Sequence, residues 1–303
     1  MTLPLVSCVM PTANRRAFVP TAIDRFLRQD WPDRELVILD DGEDAVADVV
    51  PGDPRVRYLR APPRRTVGAK RNALAEAARG DILLHWDDDD WHAADRITRQ
   101  VRALLDHGAA VCGVRRLLFL EPAQHRAWEY VYPETERFWL GGSTLCYTRD
   151  YWRAHPFEAI DRGEDARFVW AGDPRSMHAM AYASFHVGLI HAHNVSPKRP
   201  RGSWWRPYPL EAVRTLMGED FARHAEVASP VPAPSAAPRR PAPPAPPPLR
   251  NVHACLVHEQ PECVITRGIG AGRVAEQEAA LHRLARRHAQ HRRQRRAGVE
   301  PAA

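Results

Sequence analysis

Ile82-Leu83-Leu84-His85-Trp86-Asp87-Asp88-Asp89-Asp90-Trp91 is the stretch on which the reading of the fold turns. Its apolar half, introduced by Gly80-Asp81, has the length and composition of a strand buried on both faces of a parallel sheet. Four carboxylates then fall where that strand would end. Adjacent acids repel one another, and the arrangement makes sense if a cation sits there. Hard divalent ions take carboxylate oxygens and share their remaining positions with a substrate's phosphates. In open α/β sheets ligands bind beyond the carboxyl ends of the strands. An isolated acidic run also reads as a solvated turn or as helix caps for the segment starting near Ala94. Its place after a strand favours the cation.

Upstream, Pro4 to Met10 is a short apolar run ending in Pro11-Thr12-Ala13-Asn14, a first strand followed by a loop. Val19 to Gln29 places Ile23, Phe26 and Leu27 at helical spacing, and Trp31-Pro32-Asp33 stops that helix. Leu36 to Leu39 is a second buried strand, ending in Asp40-Asp41-Gly42. Arg55 to Leu59 reads as a third strand, Val67 to Arg79 as a helix with an alanine-rich face, and Ile82 to Trp86 as the fourth strand. This alternation predicts an α/β fold with a right-handed, mostly parallel sheet and helices on both faces. Asp40-Asp41 and Asp87 to Asp90 then share one sheet edge.

Downstream, a helix is expected from Ala94 to His107, stopped by Gly108. Ala110 to Leu120 and Trp128 to Tyr132 read as extended segments joined by a hairpin-like loop, and Gly141-Gly142 leads into a further strand. Next come a short helix at Arg149 to Ala154, the acidic Gly163-Glu164-Asp165 before a helix from Ala166 to Gly172, and a strand from Val187 to His191. His193 to Pro209 reads as an ordered loop and Leu210 to Ala225 as a last helix.

With 303 residues, 44% of them hydrophobic, the chain can bury a sizeable core. The +6 formal charge comes almost wholly from arginine, since Lys70 and Lys198 are the only lysines, and a coding bias explains that as readily as a function. Five widely spaced cysteines and no cationic-apolar leader argue against a disulfide framework and for a reducing cytoplasm. No run of about 18 apolar residues exists, so no integral membrane span is expected. Composition breaks at Ser229, which sets expected boundaries of 1–229 for the main domain, 230–250 for a Pro/Ala-rich linker and 251–303 for a basic tail.

Five ordered landmarks, VSCVMPTANR (6–15), ELVILDDG (35–42), GAKRNALAEAARGDILLHWDDDDW (68–91), GGSTL (141–145) and RGEDARFVW (162–170), resemble the family two glycosyltransferases of GT-A fold. The resemblance runs from about Val6 to Trp205 and implies a Rossmann-like, nucleotide-sugar-binding sheet. It implies inverting, metal-dependent transfer of a sugar from a nucleoside diphosphate, with Mn2+ or Mg2+ as cofactor and a UDP-sugar as the favoured donor. Asp87 and Asp89 match the family's Asp-any-Asp metal motif, with Asp89 the direct ligand. Asp87 and Asp88 would reach ribose or sugar, or act through water, while Asp90 either joins them or caps the next helix.

The resemblance also has Asp41, with Asp40 second, accept from a pyrimidine N–H while Pro11 and Thr12 line the nucleoside pocket; a tight turn is the plainer reading of Asp40-Asp41-Gly42. Arg71 and Asn72 match the pair before the metal strand, and a planar guanidinium suits a diphosphate. Lys70 is expected on the solvated surface. Gly141, Gly142 and Ser143 match the floor of the sugar pocket, or are only a turn into the strand. Asp165 matches the catalytic base, with Glu164 the second candidate, although both also suit the first turn of a helix. His193 or His191 would add a metal ligand. Trp204 and Trp205 form a lid, a sugar-stacking surface or loop packing.

The acceptor is not named by any of these residues. His253, Cys255, His258 and Cys263 are of zinc-ligand type at irregular spacing, and the Arg-rich 273–296 reads as a solvated tail rather than a nucleic-acid or membrane site. Two rivals stand beside the transferase reading. A sugar-phosphate nucleotidyltransferase would need a glycine-rich loop after the first strand, which Pro11 to Arg16 lacks. A nucleic-acid-binding protein acting through the Arg-rich tail leaves the acidic landmarks unexplained.

Overall fold

The computed structural model describes residues 3–227 apart from Arg64 and Tyr182, all within the first of two compact units, Met1–Val231. The expected linker, the zinc-type residues and the Arg-rich segment lie outside the described residues.

The described chain forms strands β1 (Val6–Thr12), β2 (Arg34–Asp40), β3 (Val56–Arg60), β4 (Ile82–His85), β5 (Trp91–His92), β6 (Val111–Val114), β7 (Arg116–Glu121), β8 (Arg126–Val131), β9 (Cys146–Thr148), β10 (Met177–Met180), β11 (His186–Leu189) and β12 (Trp205–Tyr208). Its helices are α1 (Val19–Leu27), α2 (Val67–Ala77), α3 (Arg96–Asp106), α4 (Arg149–Ala154), α5 (Glu164–Ala171), α6 (Leu210–Met217) and α7 (Asp220–Val227).

The first sheet has the order β10-β6-β9-β4-β1-β2-β3 and is parallel except for β9, which runs against both neighbours. β1 and β2 are buried almost throughout, as their apolar sequences require. The pleat sends Cys8, Met10, Leu36 and Ile38 to one face, against Ile23 and Phe26 of α1 and Ile97, Val101 and Leu104 of α3. Val9, Val37 and Leu83 go to the other face, against Leu74 of α2, Tyr151 and Trp152 of α4 and Phe168 of α5. Helices therefore cover both faces, as expected from the alternation.

A second sheet, in the order β12-β8-β7-β11-β5, supplies the other wall of the molecule's cleft. The extended run from Ala110 to Leu120 breaks at Arg115: β6 stays in the first sheet and β7 enters the second, where it pairs with β8 as a hairpin. Three expectations change here. The loop from His193 to Pro209 contains a strand, β12, which pairs antiparallel with β8. The last helix is two helices, because Gly218 adopts a left-handed φ of 57° that ends α6. α5 also begins two residues early, so Glu164 and Asp165 form its first turn.

Among the described residues, no helix is long and apolar enough to cross a membrane. Cys8, Cys112 and Cys146 are buried and unpaired.

Candidate active site

β1 and β4 lie side by side in the first sheet, and at their carboxyl ends a cleft of about 390 Å³ opens, bounded by Pro11, Thr12, Asp87 to Asp90, Gly141 to Ser143, Glu164 and Asp165. That size falls within the roughly 300–1,000 Å³ of small-molecule sites.

The acids at the end of β4 have separate partners. Asp87 faces the Arg71 guanidinium at 3.4 Å, and burial pushes its carboxyl pKa up. Asp88 accepts a 2.6 Å hydrogen bond from Thr12 Oγ1, and burial pushes its pKa up to about 7 against the pull of Arg15. Asp89 Oδ2 receives Arg15 Nη1 at 2.7 Å and meets His191 Nε2 at 2.9 Å. Burial raises its pKa, but the bond to His191 and the Arg15 charge outweigh it and hold the carboxyl well below the usual range. Asp90 does not cap α3. Its carboxylate meets His186 Nε2 at 2.8 Å and accepts from the Leu189 N–H, which fastens β11 to the acidic loop.

On the opposite side, Asp165 leans over the glycine floor so closely that a Cβ on Gly142 would stand 2.0 Å from its Oδ2. Glu164 is buried and receives Arg71 Nε at 3.2 Å. Burial raises the Glu164 pKa, Arg71 lowers it, and the net shift is upward. Arg71 thus bridges Asp87 and Glu164, while its Nη1 has no partner among the described residues. Beneath the floor, His85 Nδ1 lies 2.7 Å from the Gly142 carbonyl, and burial holds this histidine neutral.

Some expected site residues lie elsewhere. Asp40 is fully buried behind the cleft, accepting from Gly42 N, Val46 N and Tyr58 Oη, so it builds the turn after β2. Asp41 is held by Lys70 Nζ at 2.8 Å and by Arg65 N, and only Lys70 of that pair lines the cleft. Lys70 is therefore not on the solvated surface; it is 7% exposed because Asp41 supplies its counter-charge. Asn72 turns away from the cleft and clamps the 152–157 segment, donating to Phe157 O and accepting from Phe157 N and Trp152 Nε1. Of the two histidines, His191 meets Asp89, while His193 takes part through its backbone: its carbonyl accepts from Arg15 Nη2 and its N–H donates to His191 Nδ1.

Arg15 is the residue that sequence reading passed over. The signal was Asn14, whose φ of 56° turns the chain after β1 and brings Arg15 back across the end of β4.

Asp89 and His191 provide an oxygen and a nitrogen in contact at the cleft. Among the described residues, no three of His, Cys, Asp or Glu gather as a metal cage. Such a sparse donor set fits a hard divalent ion that takes much of its shell from phosphate and water.

Residues 7–155 match the family model described as glycosyl transferase family 2, so this segment is a domain of that family and of glycosyltransferase type. An uncharacterized glycosyltransferase of Haemophilus influenzae is 30% identical over 112 residues, 35% of this chain and 45% of that protein. An Escherichia coli K12 protein named as a colanic acid biosynthesis glycosyl transferase, WcaA, is 32% identical over 100 residues, 31% of this chain and 36% of that one. The match thus spans less than half the length of either relative. Among solved structures, S. aureus TarS is similar with a TM-score of 0.49 and 14% identity, over 61% of this chain and 37% of TarS.

Proposed function

We propose that residues 1–229 transfer a sugar from a nucleoside diphosphate, UDP by preference, to an acceptor hydroxyl with inversion at the anomeric carbon. The observation that carries this reading is the convergence in one cleft of Arg71, with its unpartnered Nη1, the acids Asp87 to Asp89, and Asp165 across the Gly142 floor. Pro11 and Thr12 line the nucleoside end, and Asp41 holds Lys70 in place beside them. Arg71 offers the diphosphate a planar, permanently charged donor. Asp89 and His191, with Asp87 beside them, would hold Mn2+ or Mg2+, which when bound supplies Lewis-acid stabilisation of the leaving diphosphate. Asp165 takes the acceptor's proton as that oxygen attacks the anomeric carbon and the bond to the diphosphate breaks. Glu164, paired with Arg71, positions it. Three buried, unpaired cysteines suit a reducing cytoplasm.

The test is a thermal-shift series with UDP, GDP and dTDP in Mn2+, since a ligand that binds only the folded state raises the melting temperature. Asp165→Asn should leave the UDP shift unchanged and lower transfer by roughly two to four orders of magnitude. Near-normal turnover in that variant would move the base elsewhere, and absence of any nucleotide shift would remove the donor assignment. A chain ending at residue 229 should retain donor hydrolysis.

A further inference from the structure

The cleft has a second end that the donor leaves unexplained. Beyond the glycine floor its wall passes to the second sheet, with Phe119, Tyr130, Trp139 and Trp205 lining it beside Lys198. The rings form one assembly: Tyr130 lies 5.0 Å from Trp205 and 5.8 Å from Trp139, and Phe119 lies 5.1 Å from Trp205. Tyr130, Trp139 and Trp205 are partly exposed and line the cleft.

The polar tips of these rings point to the kind of ligand. Of the nine tryptophans in the chain, Trp31, Trp86, Trp91, Trp128, Trp152 and Trp170 donate their indole N–H to a protein acceptor. The remaining three, Trp139, Trp204 and Trp205, have no such acceptor among the described residues, and all three pack against Tyr130. These three N–H groups are open to water, and a ligand that covers them must supply the acceptor that water now provides. A prenyl or acyl chain laid on this wall would desolvate those donors without satisfying them, at a cost for each. A pyranose ring meets both demands, because its C–H face packs on an aromatic ring while its rim of hydroxyls accepts hydrogen bonds. Asp165 lines the same cleft over Gly142, so one cavity holds both the aromatic wall and the carboxylate that would deprotonate an acceptor hydroxyl.

We propose that the aromatic end is the acceptor subsite and that its ligand is a carbohydrate, with a pyranose ring stacked against Trp205 and Tyr130. The assignment rests on the transferase reading above. It makes Trp205 and Tyr130 acceptor-binding residues and places β12, which carries Trp205, among the elements that decide specificity.

The experiment is saturation-transfer NMR on the full chain with UDP and Mn2+, using the methyl glycosides of glucose, galactose, mannose and N-acetylglucosamine as sugar probes and farnesyl phosphate as the lipid probe. Saturation should reach the ring C–H protons of at least one glycoside. Trp205→Ala should weaken that binding tenfold or more, and Trp205→Phe, which keeps a ring and removes the N–H, should fall between. The UDP thermal shift should stay at its wild-type value in both variants, which also reports that they fold. A wild-type UDP shift with no glycoside saturation would overturn the subsite, as would glycoside binding indifferent to Trp205→Ala or Trp205-dependent binding of farnesyl phosphate alone. Trp205-dependent glycoside binding without any UDP shift would support the subsite and remove the donor reading instead.

Discussion

Arg15 Nη1 lies 2.7 Å from Asp89 Oδ2 and 3.5 Å from Asp88 Oδ1, so a guanidinium from the loop after β1 neutralises the acids at the end of β4. All three side chains are largely buried, and removing one member of a buried ion pair costs about 3 kcal/mol or more. We expect Arg15→Ala to lower the melting temperature of the ion-free protein by several degrees. Adding MnCl2 should restore more of it than wild type gains, because the ion and Arg15 share Asp89. Equal manganese shifts in the two proteins would show that they do not.

Gly142→Ala sets a methyl group against the Asp165 carboxylate, 2.0 Å from Oδ2. The same methyl would lie 2.7 Å from Asp165 Cγ and 2.8 Å from its Cβ, so turning the carboxylate is not enough, and the first turn of α5 should shift and carry Asp165 off the floor. Transfer should drop by about 100-fold or more, approaching the loss in Asp165→Asn. In the double variant the two losses should be far from additive, since both act on one group. Steady-state rates of the four proteins close this cycle, and additive losses would separate the glycine from the carboxylate.

His224, His92 and His85 are held neutral by burial first and then by Arg25, Arg96 and Arg71 respectively. Below about pH 6.5 the unfolded chain binds protons that the folded protein refuses. The stability these histidines contribute is complete above that pH and is lost as pH falls toward their folded pKa, about 3 for His224. The slope is about 1.4 kcal/mol per pH unit for each histidine. Urea midpoints between pH 7.5 and 5 should therefore fall steeply, ahead of carboxylate titration, and His224→Leu should flatten the curve. A level wild-type profile would mean that the rings are protonated in the fold.

Asn72→Ala removes three hydrogen bonds to Trp152 and Phe157. Each such bond contributes about 1 kcal/mol, so unfolding should become easier by about 2–3 kcal/mol. UDP affinity measured by calorimetry should stay within about twofold of wild type. A selective loss of UDP affinity at unchanged stability would return Asn72 to the diphosphate.

The donor half was legible because buried parallel strands leave continuous apolar runs, and the acids that follow them can be placed on one edge. Asp87 to Asp89, Arg71, Gly142 and Asp165 all meet there. Pairings were not legible where the partners come from distant segments. Nothing in Lys70's neighbourhood announces that Asp41 will neutralise it, and two-residue spacing in a loop cannot decide between His191 and His193. β12 was hidden for a different reason. Trp205-Arg206-Pro207-Tyr208 lacks alternation and contains a proline, which a strand tolerates at a sheet edge, and β12 is an edge strand. The three unpartnered indoles became visible only once the other six had been seen to be satisfied.

Residues 115–140 leave the first sheet at Val114 and return at Gly141, whose N–H donates to the Val114 carbonyl at 2.8 Å. The excursion is therefore closed at its neck, like the handle of a jug. Descent can lengthen, shorten or reline the handle without shifting the register of β6 or β9, because one backbone bond fixes both ends of the detour. Asp87 to Asp90, Arg71 and Asp165 all belong to the body of the vessel and not to its handle. The handle brings Phe119, Tyr130 and Trp139 to the cleft, so part of the aromatic wall can be relined without touching the acids.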